Sequence, residues 1–232
     1  MSPVLISRVF GYGDFLSTGA TNDAVITPAG YAFAIWGLIT LLCTVTCAAV
    51  LRLGLGAPWE SRLLAEASVV FVGFSAWLVI AAQDWLWATV AVFAAMVIAL
   101  IDIVRLLVVR RADLTAPVWL CRLATLTFGL YLGWSSVAVF INVAAALVKG
   151  GWPATESAWQ AVVLVVAMLA AVAFTIVLRG TPGYVAGALW ALIAAAVGAA
   201  NRHAPTLSTL AAGAAIAVAI TTAGVTLGRK AR

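Results

Sequence analysis

Seven apolar runs divide this chain of 232 residues, at about 28–51, 63–82, 85–109, 117–148, 159–178, 184–200 and 207–228. A helix crossing the roughly 30 Å hydrocarbon core of a bilayer needs about 20 residues. Each run meets that length or falls a few residues short, and the sixth, rich in Ala and Gly, is the shortest. Backbone polar groups in hydrocarbon must be satisfied within the segment, so runs of this length read as helices. Pro58, Pro153, Pro182 and Pro205 fall in the breaks, where proline ends helices, and Gln83–Asp84 leaves room only for a tight turn between the second and third runs. Composition agrees: hydrophobic residues make up 65% and charged residues 9% of the chain, against roughly 25% charged in soluble domains. The fold class is an all-α, polytopic transmembrane helical bundle of about seven spans, expected in the cell membrane with the bilayer as its solvent.

A net charge of +5 raises the possibility of nucleic acid as a partner, but the basic residues sit at the ends of apolar runs, where they set topology. An outside N-terminus puts Arg52, Arg62, Arg105, Arg110, Arg111, Arg122, Arg179, Arg229, Lys230 and Arg232 in the cytoplasm, and only Arg8, Lys149 and Arg202 outside. The positive-inside rule then predicts N-out, C-in and no nucleic-acid role. Trp59, Trp85, Trp87, Trp119, Trp152 and Trp159 lie at span ends, as interfacial anchors do. Trp36, Trp77, Trp134 and Trp190 lie within spans. The polar segment 1–27 carries no basic n-region of a signal peptide and reads as a tail or as a cap over the outer mouth.

Catalytic chemistry has little to stand on. The chain holds one histidine, His203, and three cysteines, Cys43, Cys47 and Cys121, which read as small buried hydrophobes and not as a metal or disulfide framework. No midspan pair of carboxylates or Ser–His pairing appears, so no enzyme is expected and no cofactor is required. A retinal Schiff base would need a lysine in a late span, and Lys149 and Lys230 lie outside the spans. Asp102 and Arg105, three residues apart near the inner end of the third run, can pair on one helix face.

The fourth run carries the most distinctive pattern. Tyr131, Trp134, Ser135, Ala138 and Asn142 fall along one side of a 3.6-residue helix. An aromatic–hydroxyl–small–amide stripe serves either close helix packing, with Asn142 bonding a neighbour, or a ligand. Tyr31, Phe33 and Trp36 open the first run and Trp77 lies near the end of the second, so the rings are expected to gather in the outer half of the bundle. Gly183, Gly187, Ala191, Ala195 and Gly198, then Gly213, Ala217 and Gly224, give small-xxx-small spacing, read as internal packing before a dimer face.

The segment Tyr131-Leu-Gly-Trp134-Ser-Ser-Val-Ala138-Val-Phe-Ile-Asn142 is similar, without gaps, to the last-helix pattern of the translocator protein / tryptophan-rich sensory protein family (TspO/MBR). Thr27-Pro28-Ala-Gly30-Tyr31-Ala-Phe33-Ala-Ile-Trp36 resembles that family's entry to its second helix. The resemblance covers about residues 27–148, and looks closer to the larger bacterial members. It implies a helical membrane protein, often a homodimer, that binds a porphyrin or haem-like tetrapyrrole, or another apolar planar small molecule, in an aromatic pocket. Carried across by motif, the ligand-binding candidates are Tyr31, Trp36, Trp77, Tyr131, Trp134, Ala138 and Asn142. The sequence departs from the pattern at Leu130, where the family has proline, and at Phe74, where it has asparagine. The expected organisation is a polar segment 1–27, a four-helix region 28–148 resembling the family, and a three-helix extension 149–232. The expected function is a sensor or transport accessory that binds such ligands. The alternative is a transporter of a small solute or lipid precursor, using Asn142 and Asp102–Arg105 as polar way-stations.

Overall fold

The computed structural model describes residues 24–230, and side chains as far as residue 228. Of the N-terminal segment 1–27, read as a tail or a cap, residues 1–23 lie outside the described residues. The described residues contain no strand and seven helices long and apolar enough to cross a membrane: α1 (Ile35–Leu53), α2 (Glu60–Ala82), α3 (Leu86–Val109), α4 (Val118–Lys149), α5 (Ser157–Val177), α6 (Pro182–Asn201) and α7 (Pro205–Lys230). The apolar runs therefore mark the spans to within a few residues. Pro117, Thr181-Pro182 and Pro205 stand at helix starts, where a missing N–H costs nothing. The turn between α2 and α3 closes at Asp84, whose φ is 60°.

The first span begins differently from the expectation of a helix from Pro28. Residues 24–29 run without helical hydrogen bonding, then a single 3-10 turn at Gly30–Ala34 leads into α1. Non-helical backbone packed against membrane-spanning helices needs protein partners for its polar groups, and several are in place here. Ala29 N–H donates to the Ala194 carbonyl (3.0 Å), Ile26 N–H to Gln160 Oε1 (3.1 Å), and the Arg202 guanidinium to the Thr27 carbonyl (2.8 Å). Ala24 and Ile26 are buried among Ala144, Trp159, Leu164, Ala195, Ala199 and Leu207. Gly198 of α6 makes room for this strap, since a Cβ there would lie 2.3 Å from the Thr27 carbonyl oxygen.

α4 is the axis of the bundle. It packs against α1, α3, α5 and α6, while α2 covers α3, and α7 covers both α5 and α6. Its 32 residues make it about 48 Å long, so it reaches past the hydrocarbon core. The tightest seam is between α4 and α6: a Cβ on Gly129 would lie 2.9 Å from Tyr184 N, one on Gly133 2.1 Å from Tyr184 O, and one on Gly187 2.4 Å from Leu130 O. Two glycine pairs spaced by four thus meet face to face, which is how helices gain dispersion contact in a solvent that offers no hydrophobic drive. The expected internal role of the α6 small residues holds. On α7, by contrast, a Cβ at Gly213 or Gly224 would meet nothing within 4 Å.

The opposite end of the bundle from the strap is tied by polar contacts. The Leu55 carbonyl accepts the Thr115 and Ala116 N–H groups at 3.2 Å each, and Trp59 Nε1 donates to Asp113 at 3.0 Å. Asp102 pairs with Arg62 of α2 at 2.8 Å, not with Arg105 on its own helix. Neighbouring helices bring Arg62 within reach, an arrangement that spacing along one helix cannot reveal. The tryptophans at span ends divide as well. Trp85, Trp87, Trp119 and Trp152 are exposed as anchors should be, whereas Trp59 and Trp159 are buried and hydrogen-bonded within the protein.

Candidate functional site

α1 and α2 follow one another in the chain, but their backbones stay apart and they meet through the ring of Trp36. α1 is held to α4, where the Thr46 and Thr127 hydroxyls share a buried hydrogen bond of 2.8 Å, and α2 is held to α3. Between α1 and α2 lies a cleft of about 720 Å³, inside the range of roughly 300–1,000 Å³ usual for small-molecule sites. One wall is the α1 face Trp36, Ile39, Thr40, Cys43, Thr44 and Cys47, and the other is the α2 face from Phe71 to Gln83, with Tyr131 of α4 behind. Large apolar side chains on both helices, such as Leu41, Val45, Val72 and Val79, are exposed and define the surface that meets lipid.

The spacing of the α1 wall explains its character. Residues 36, 39, 40, 43, 44 and 47 recur at the interval of one helix face. The hydroxyls on it are already satisfied, since Thr40 and Thr44 donate to the carbonyls of Trp36 (2.7 Å) and Thr40 (2.8 Å). Ser75 does the same on α2, donating to Phe71 O at 3.1 Å. The cleft is therefore mostly apolar, with thiols at mid-depth and an amide, Gln83, at the end where α2 stops.

Trp36 is the centre of an aromatic cluster that forms part of the cleft wall and extends behind it. Its ring lies 4.6 Å from Phe74, 5.6 Å from Tyr131, 6.2 Å from Trp134, 6.3 Å from Trp77 and 6.5 Å from Phe93, centroid to centroid. Phe74 and Trp77 stack with planes 17° apart, and Trp36 meets Tyr131 and Trp134 edge to face. Such offset and perpendicular contacts are favourable because ring edges are positive and faces negative. Trp77 Nε1 donates to Asn142 Oδ1 at 3.3 Å, and Asn142 Nδ2 donates to the Ala138 carbonyl at 2.9 Å. Asn142 thus finds the neighbouring-helix partner that its burial in hydrocarbon demands. The Trp134 indole N–H and the Ser135 hydroxyl, both buried, have no hydrogen-bond partner among the described residues. An unpaired buried donor costs free energy because it gives up water without a replacement.

Of the residues singled out by sequence, Trp36 and Tyr131 line the cleft itself. Trp77 and Trp134 touch Trp36 from behind, and Ala138 and Asn142 support Trp77 through the hydrogen bonds just described. Tyr31 stands apart: it is 49% exposed and its ring packs 5.6 Å from Trp190 of α6, so the expected gathering of rings does not include it. Trp190 in turn donates to the Ala32 carbonyl at 3.0 Å and helps hold the entry to α1. Sequence reasoning missed Phe74, Phe93 and the whole Thr40–Cys43–Thr44–Cys47 face. The last was readable as a weakly polar stripe at helical spacing. The Asp102–Arg62 pair lies outside the cleft lining. Among the described residues no cluster of metal-ligating side chains occurs.

A multi-pass helical membrane protein, with a cleft between two of its helices backed by interlocked aromatic rings, is the class this architecture defines. The chain belongs to the TSPO-like family: the family model described as TSPO-like protein matches residues 14–224, which takes in α1 to α6 and most of α7. Comparisons with curated proteins and with solved structures give no match.

Proposed function

We propose that this protein binds a flat, largely apolar molecule of the tetrapyrrole kind in the cleft between α1 and α2, as a sensor or as an accessory to transport. The observation that carries this reading is the cleft itself, about 720 Å³ in size and walled by Trp36, Phe74 and Tyr131. Flat rings offer dispersion contact over a large area and fix the plane of a ligand laid against them. The gap between α1 and α2 admits a ligand already dissolved in the bilayer without carrying it through water. The helices that bear the wall are held from behind by α3 and α4, so the site is formed before its ligand arrives.

A titration of the purified protein in zwitterionic nanodiscs with protoporphyrin IX tests this, read by tryptophan quenching corrected for absorption of the exciting light. Saturable binding is expected, weakened about tenfold by Trp36→Leu or Phe74→Ala through loss of ring contact. Tyr31→Leu, outside the lining, and Asp102→Asn, in the ion pair at the far end, should leave the curve unchanged. Curves that coincide for all the folded variants, or that never saturate, would mean adsorption and sink the proposal. A loss confined to Asp102→Asn would favour a polar solute path instead.

A further inference from the structure

The cleft is not uniform along its length. α1 and α2 run antiparallel, and the Trp36–Trp77 contact of 6.3 Å sets their register. Cys47 and Phe71 therefore lie toward the middle of the spans, while Gln83 lies where α2 ends and the tight turn begins. The deep part offers rings, aliphatic groups and thiols. The shallow end offers an amide, Gln83. The next residue in the chain, Asp84, stands just outside the lining, and Lys149, in the last turn of α4, donates to both its carboxylate and its backbone carbonyl. Both members are open to solvent, with side chains 46% and 70% exposed. An exposed pair of this kind is weakly held, so another carboxylate can take the place of Asp84 on the ammonium.

We infer that the Gln83–Asp84–Lys149 corner is the anchor for an acidic group on the ligand, so that the cleft selects a flat apolar body carrying a carboxylate at one end. The class is an acid-bearing amphiphile, in contrast to a neutral sterol or an esterified pigment. Its body lies against Trp36 and Phe74, and its acid emerges at the membrane interface, where a carboxylate keeps its water and still meets Lys149. Asp84 is then a competitor for Lys149, which holds the corner closed until an acid displaces it. This inference rests on the proposed binding role of the same cleft and adds which end of the ligand faces out and what it carries.

The test compares protoporphyrin IX with its dimethyl ester, which keeps the ring and removes both acids. Binding is measured in phosphatidylcholine nanodiscs, free of anionic lipid. The intact protein should bind the diacid about three- to fivefold more tightly than the ester, the scale of one exposed ion pair. Lys149→Gln should lower diacid affinity to that of the ester and leave the ester unmoved. Lys149→Arg should restore the preference. Asp84→Asn, which removes the competitor, should strengthen diacid binding alone, and it supplies a second readout if Lys149→Gln proves unstable. Equal, saturable affinities for diacid and ester, or a preference that survives Lys149→Gln, would overturn the anchor while leaving the cleft as a binding site. Failure of both compounds to saturate would instead overturn the binding role itself.

Discussion

The α4–α6 seam and the α1–α2 cleft are opposite solutions to the same problem. In both, two apolar helices meet in lipid, where burying a leucine from the bilayer gains little because the tails are as apolar as the side chain. At the seam, Gly129 and Gly133 let the α6 backbone come so close that Cβ atoms have no place. The hydroxyl of Ser136 bonds Tyr184, which reaches on to the Ala171 carbonyl of α5. At the cleft, the facing residues are large rings and hydroxyls whose hydrogen bonds are spent on their own helix. Apart from the ring contacts of Trp36 with Phe74 and Trp77 at one end, nothing then pulls α1 toward α2, and the space between them stays open. Small residues close an interface in a membrane, and bulky ones that are satisfied locally hold it apart.

That contrast can be broken most sharply at Gly133. Gly133→Val places carbon where the Tyr184 carbonyl oxygen now sits, 2.1 Å from the ideal Cβ, and should cost about 3 kcal/mol or more through overpacking. Thermal unfolding in detergent should show loss of the cooperative transition or a large fall in its midpoint. Gly213→Ala, on a helix face where a Cβ meets nothing, should do the reverse and stabilise by about 0.5–1 kcal/mol, from backbone entropy. A destabilising Gly213→Ala would show that the α7 face is in contact with something, and crosslinking would show whether that is a second copy. Tyr184→Phe removes the hydroxyl shared by Ser136 and Ala171 and should cost about 0.6 kcal/mol, the average for a hydrogen bond between helices in a membrane. The smallest effect is expected in the cleft. Thr44→Val, on the exposed α1 wall, should change stability by less than about 0.5 kcal/mol. A larger loss in the same unfolding experiment would mean that α1 and α2 depend on one another after all.

The helices of this fold were legible because lipid imposes a simple requirement on length and hydropathy, and Pro117, Pro182 and Pro205 mark where spans begin. The aromatic centre was partly legible. Trp36, Trp77, Tyr131 and Trp134 stood out because wide rings inside spans are unusual there, and the Trp134–Asn142 pattern resembles a family motif. Tyr31 looked equivalent by position and went elsewhere, because the 3-10 turn at Gly30–Ala34 aims it at Trp190. Asp102 met Arg62 and not Arg105 for a related reason, since both partners were in plain view but only helix packing brings one within reach.

The sequence by itself determined that the chain lives in a bilayer, how many times it can cross, and which rings are poised for a site. Those are properties of one segment and its solvent. The tertiary structure alone decided that α6 lies against α4 and the strap at residues 24–29, and that α1 and α2 stand apart. In lipid every helix is apolar on all sides, so hydropathy carries no record of which face meets which. The choice passes to shape, where a missing Cβ admits a neighbour and a tryptophan keeps one out.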